Sequence, residues 1–180
     1  MSVFVRVVLA LSLASMAFGA DDVVSAVHGT VDKVDAGGKV VVVKTADGTE
    51  HTLHFMKETT VHGADASAMA AKDSWHGLTK GSEVVAHYTK RGTEDTAVEF
   101  DRVGKGGLKA TEGTIKAVDR GTKTIVIKTG DGTEETFKLT GHAADDAGKD
   151  IGKETEKGTK VVVYSSEDAG KKVAHFFEKI

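Results

Sequence analysis

The chain contains no cysteine and no proline, and only one tryptophan and two tyrosines among its 180 residues. Without cysteine there is no disulfide to staple the fold and no thiolate to hold a metal, so packing alone must stabilise it. Without proline, no prolyl isomerisation can slow refolding. The scarcity of aromatic rings argues against a stacking platform for single-stranded nucleic acid or sugars, and against the aromatic girdles of an outer-membrane barrel. Basic residues are scattered rather than gathered, and the formal net charge is −3. A nucleic-acid binder needs a concentrated positive surface to displace counterions from phosphates, so nucleic acid is not an expected partner.

The first twenty residues differ from the rest. Arg6 is their only charge, Val7 to Ala14 form an apolar run around one serine, and Ala17, Gly19 and Ala20 precede Asp21-Asp22. A charged start, a short apolar middle and a small-residue cleavage site are the order of a secretory signal, assigned to residues 1–20 with cleavage at Gly19 or Ala20. The apolar stretch is shorter than the ~20 residues a spanning helix needs, and no cysteine follows it to carry a lipid. The expected location is therefore periplasmic or extracellular, with no transmembrane segment in the mature chain.

The remainder is duplicated. Residues 29–52, GTVDKVDAGGKVVVVKTADGTEHT, align without a gap to residues 113–136, GTIKAVDRGTKTIVIKTGDGTEET, with 14 of 24 positions identical. Residues 81–103 match residues 158–180 in length and pattern. Repeat 1 is assigned to residues 28–104, repeat 2 to residues 112–180, and the glycine-rich segment 105–111 to a flexible linker.

Each repeat reads as strands. Val40 to Val43 and Ile125 to Ile127 are β-branched runs suited to a pleated sheet. Positions 41 and 43 pair with 125 and 127, apolar in both copies, which predicts the core-facing phase. Asp47-Gly48 and Asp131-Gly132 are tight-turn dipeptides. Leu53 and Phe55 correspond to Phe137 and Leu139, a second inward pair at period two. Ala66 to Trp75, with Asp65 as N-cap, predicts a helical connection, and residues 143–156 a more polar counterpart. Two further strands follow in each copy. The expected fold class is all-β with a minor helix per repeat: two tandem five-stranded OB-like barrels in the order strand-strand-strand-helix-strand-strand.

The pattern GTV-KVD-GG-VVVKT-DGTEHTLHF followed by GLTKGSEVVAHYT resembles bacterial exported domains of unknown function with small OB-like barrels. The resemblance covers both copies. Its motifs are turn glycines and strand residues, so it implies a fold and an exported setting and carries over no catalytic residue.

Six of the eight histidines lie in repeat 1: His28, His51, His54, His62, His76 and His87. His51 and His54 have a tempting spacing, but on a strand they point to opposite faces. His54 and Met56 share a face, and Trp75-His76 approaches from the helical connection. Imidazole, thioether and indole together resemble the sites of periplasmic copper carriers, which also use an OB-type barrel; thioether suits Cu(I). His54, Met56, Trp75 and His76 are thus the candidate metal ligands. Repeat 2 has Lys138 and Thr140 at the positions of His54 and Met56, and the carriers' ligand spacing is not reproduced. The alternative is structural: His54 exposed, Met56 a gap-filler and Trp75 a core plug.

No catalytic constellation emerges. Asp47 with Glu50, and Asp131 with Glu134, flank turns that already explain the aspartates. There is no G-x-S-x-G elbow and no P-loop. Phe55, Phe100, Phe137 and Phe177 fall at core positions, leaving Tyr88, Tyr164 and Trp75 as the rings available to a surface. The sequence therefore predicts an exported non-enzymatic binding or structural module without a resident cofactor. Its partner is a metal ion or an envelope protein, bound on a barrel face or near residues 90–96 and 165–171.

Overall fold

Alternating β-branched segments pair into ten strands among the described residues of the computed structural model, which are 24–63, 74–119, 121–141, 143 and 157–180. They are β1 (Ser25–Asp35), β2 (Val40–Lys44), β3 (Glu50–His62), β4 (Glu83–Arg91), β5 (Glu94–Arg102), β6 (Lys109–Asp119), β7 (Thr124–Lys128), β8 (Glu134–Leu139), β9 (Lys160–Asp168) and β10 (Lys171–Lys179). Two closed barrels result, ordered β1-β2-β3-β5-β4 and β6-β7-β8-β10-β9. In each, the first strand closes on the fourth and the third runs parallel to the fifth. That order is OB-like, and closure leaves no open sheet edge.

Both barrels carry the duplication into their registers. Val31 faces Val43 and Ile115 faces Ile127, and each first strand then bulges by one residue. Gly29 and Gly113 precede these bulges where the strands approach closely. A Cβ on Gly29 would lie 2.5 Å from the Lys44 carbonyl oxygen, and one on Gly113 would lie 2.9 Å from that of Lys128. The inward phase is the expected one: Val41, Val43, Leu53 and Phe100 fill the first core, and Ile125, Ile127, Phe137 and Val161 the second. Gly48 and Gly132 turn with φ of 88° and 89°. Beside each, Asp47 and Asp131 accept from a threonine hydroxyl and from the backbone N–H of Thr49 or Thr133.

The minor helix is not seen in the first repeat among the described residues; in the second, Gly141 and Ala143 are helical. Residues 64–73 and 144–156 lie outside the described residues, as do residues 1–23 with the signal. Trp75, expected to end the first helix, is instead extended and bridges Leu78. Reciprocal hydrogen bonds of 3.1 and 2.9 Å between their backbones close a tight turn. His76 (φ 47°) and Gly77 (φ 82°) form its centre, the pair of positive values that a two-residue hairpin requires.

The segment between the repeats is folded rather than loose. Lys109, Ala110 and Thr111 belong to β6 and pair with Ser165, Tyr164 and Val163. Gly104 to Leu108 is a turn closed by bonds from Gly104 N to Leu108 O, Gly107 N to Gly104 O and Leu108 N to Arg102 O. Leu108 is buried together with Val85 of the first barrel and Tyr164 of the second, and Ala26, Val103, Val162 and Phe176 pack against them. The barrels therefore meet through an apolar seam. Tyr164, expected at the surface, is 4% exposed at its centre.

Candidate metal centre

The four residues proposed from sequence do not converge. Trp75 stacks on Phe55 with ring centroids 3.8 Å apart, meets Phe100 edge-on, and packs on the first core. His76 lies edge-on to Trp75 at 4.8 Å. Phe55 is buried inside the barrel, so strand alternation turns the neighbouring His54 to the outer face, away from Trp75. Met56 is 43% exposed, and its sulfur lies 3.2 Å from Arg91 Nη1. The indole serves as a plug over Phe55. Residues 90–96 and 165–171 form hairpin ends and strand segments, Thr96 and Ser165 being buried.

A different cluster forms where the barrels meet. One ligand atom each of His62, Glu99 and Asp101 lies within 4.8 Å of the others. The parallel pairing of β3 with β5 sets His62 directly beside Asp101, and Glu99 stands on the same side of β5, two residues earlier. His62 Nε2 is 2.9 Å from Glu99 Oε1. These groups line a cleft of about 210 Å³ completed by Arg102, the Gly106-Gly107 turn, and Ser166 and His175 of the second barrel.

Asp101 is the unusual member. It is 1% exposed, and its Oδ1 has no hydrogen-bond partner. Its Oδ2 faces two imidazoles, His175 Nδ1 at 3.2 Å across the seam and His87 Nε2 at 3.6 Å within the barrel. Neither approach has the alignment of a full hydrogen bond. Burial pushes the Asp101 carboxyl up. The polar contacts and positive charge of His175, and then of His87, outweigh that and hold it well below the usual carboxylate range. An ionised carboxylate is therefore kept buried at the seam, with Oδ2 beside two imidazoles and Oδ1 without a partner. Leaving a buried carboxylate without a full hydrogen bond is costly, roughly 1–3 kcal/mol or more, a cost that a cation would offset.

The seam carries a second polar cluster built on Glu178. His28 Nδ1 lies 3.2 Å from Glu178 Oε2, and His28 Nε2 lies 2.9 Å from Glu83 Oε1. The Tyr164 hydroxyl is 3.0 Å from His28 Nδ1 and donates to Glu178 at 3.4 Å. Burial, then the charges of Glu178 and Glu83, push the Tyr164 hydroxyl far above its usual pKa. Here the histidine uses both nitrogens on carboxylates, so the cluster is already satisfied.

Sequence reading missed Asp101, Glu99, His62 and His175 as a set. One signal was present: Val84 to His87 are buried without a break. A strand covered on both faces reads as a continuous apolar run, which points to a second surface packed on β4.

No protein-family model matches the chain, and no curated protein matches it. Among solved structures, the crystal structure of Ag(I)-bound CusF is similar over 44% of this chain and 96% of its own, at 13% identity and a TM-score of 0.33. A likeness of that size carries no argument about ligand or residues. Among the described residues, no helix is long and apolar enough to cross a membrane.

Proposed function

We propose that the chain is an exported, non-enzymatic two-barrel protein that binds one divalent cation of the zinc class at the seam, with His62, Glu99 and Asp101 as ligands. The buried Asp101 carboxylate carries this reading: it lines the same cleft as His62 and Glu99, and neither of its oxygens has a full hydrogen bond. One imidazole and two carboxylates suit Zn(II), Ni(II) or Cu(II) better than Cu(I), which prefers sulfur. Three protein ligands leave coordination positions for water. The exported, periplasmic or extracellular setting rests on the signal of residues 1–20.

Titration calorimetry with Zn(II), Ni(II), Cu(II) and Cu(I) tests the reading. The expected result is saturable one-to-one binding of a divalent ion, lost in His62→Ala and weakened at least tenfold in Glu99→Gln. Non-saturating heats, or saturable binding that His62→Ala leaves unchanged, would overturn it. An envelope protein captured without cation dependence would then become the better reading.

A further inference from the structure

We infer that the cation centre is armed from the second barrel: His175, steadied by Ser166, holds Asp101 so that its free oxygen faces the cleft, and cation binding therefore tightens the docking of the two barrels. This rests on the seam reading above and adds a regulatory consequence to it.

The hydrogen-bond arithmetic of His175 supports the assignment. Its Nδ1 faces a carboxylate oxygen at 3.2 Å and its Nε2 lies 2.9 Å from Ser166 Oγ. Beside an ionised carboxylate Nδ1 carries the proton whether the ring is neutral or charged, and Nε2 pairs with the Ser166 hydroxyl, which can donate or accept. Ser166 and His175 sit on β9 and β10, so the chain Ser166–His175–Asp101 crosses the seam. A ligand carboxylate with one oxygen tied by an imidazole presents the other in a fixed direction, and outer partners of this kind commonly set metal affinity by 10–100-fold.

Among the described residues the arrangement occurs once. The second repeat has Glu178 where the first has Asp101, and Phe176 where the first has Glu99. Glu178 is engaged by His28 and Tyr164, and Phe176 stacks on Tyr164 at 6.0 Å. One cation per chain follows, held by first-barrel ligands that are oriented by the second barrel. A cation that prefers docked barrels must in turn favour docking, because linkage is reciprocal.

The test uses the full chain. The absence of native cysteine lets Ala46→Cys and Thr136→Cys, on exposed positions of the two barrels, carry a pair of distance labels. Zn(II) is expected to narrow the inter-label distance distribution of the parent chain. His175→Phe should weaken Zn(II) affinity about 10–100-fold and abolish the narrowing. His175→Asn, whose amide N–H can stand in for Nδ1–H, should recover affinity to within about threefold of the parent, a rescue that a merely space-filling role would not give. Ser166→Ala should show a smaller loss in the same direction, and serves if His175→Phe does not fold.

The two failures are separable. If His62→Ala leaves Zn(II) binding intact, the seam centre itself is wrong. If His62→Ala abolishes binding but His175→Phe does not weaken it, or His175→Asn is no better than His175→Phe, the centre stands and arming from the second barrel falls.

Discussion

Asp101 and Glu178 occupy the same position of the repeat, and each meets a histidine of the opposite barrel at 3.2 Å, His175 on Asp101 and His28 on Glu178. Val85 and Val162, and His87 and Tyr164, are likewise counterparts, and each strand pairing places Val85 opposite Asp101 and Val162 opposite Glu178. The seam thus uses the same strand pair of both copies, although the two histidines come from non-equivalent strands, β10 and β1. Its two ends have diverged. One keeps a cleft and a bare oxygen; the other is closed by a tyrosine hydroxyl and a histidine that bridges two carboxylates.

The double variant His54→Ala, Met56→Ala should bind Zn(II) within about twofold of the parent. His54 and Met56 belong to the outer side of β3 and to an Arg91 contact rather than to the seam. Calorimetry on this variant beside His62→Ala decides between the two sites, and loss of binding in the double variant would return the first candidate to the front.

Acid should erode the Asp101 contribution. Its folded pKa is depressed, so the stability it supplies is complete above the ordinary carboxylate value of about 3.9 and is lost as pH falls below it. Asp101→Asn should cost roughly 1–3 kcal/mol at pH 7, because buried His87 loses its carboxylate. Urea midpoints from pH 7 down to pH 2 should show the parent and the variant converging. A difference that stays constant to pH 2 would contradict this assignment of charge.

Alkali acts with the opposite sign at Tyr164. Its folded pKa is raised, so its contribution is complete below the unfolded value of about 10 and fades as pH rises through the folded one. Ultraviolet titration of phenolate should show a late-ionising tyrosine that vanishes in Tyr164→Phe. Ionisation of that ring in the ordinary range would mean that it is not enclosed by the seam.

Gly107→Ala should damage the seam. An added Cβ would come within 2.0 Å of the Arg102 carbonyl oxygen, so the turn must move, and Arg102 lines the cation cleft. A destabilisation of roughly 1–3 kcal/mol is expected, with weakened Zn(II) binding. Gly81→Ala provides a contrast: its φ of 88° makes it strained as well, yet its Cβ meets nothing within 4 Å, so its cost should leave cation affinity untouched.

Truncation at the centre of the first barrel should be severe. Phe100 is fully buried and meets Trp75 edge-on, so Phe100→Ala should cost roughly 3–5 kcal/mol in denaturant melts.

The barrels themselves were legible in the sequence because their signals are local. Period-two alternation at Val41, Val43, Leu53 and Phe55 and the Asp-Gly turns fix each strand's inward face. The gap-free repeat then doubles the information. The seam was not legible, because it depends on register. Asp101 reaches His87 only through the β4–β5 pairing, which shifts by one residue after His87. It reaches His175 only after the segment at residues 104–108 has folded one barrel onto the other. Spacing along one strand is the signal a sequence offers, whereas the His62, Glu99 and Asp101 cluster joins neighbouring strands. Trp75 misled for a related reason, since an alanine-rich stretch before it suggests a helix while the tertiary stack on Phe55 selects an extended turn.

The short turn from Gly104 to Leu108 has an evolutionary consequence. Two copies joined this closely meet at an effective concentration on the order of millimolar, so they stay paired at any dilution and need no strong interface to do so. In a dimer of identical chains, every substitution appears twice, and a residue that improves one end of the contact is forced on the other. Fusion lifted that constraint. Asp101 and its twin Glu178 are then free to differ, the one without a full hydrogen bond and the other engaged by a histidine and a tyrosine.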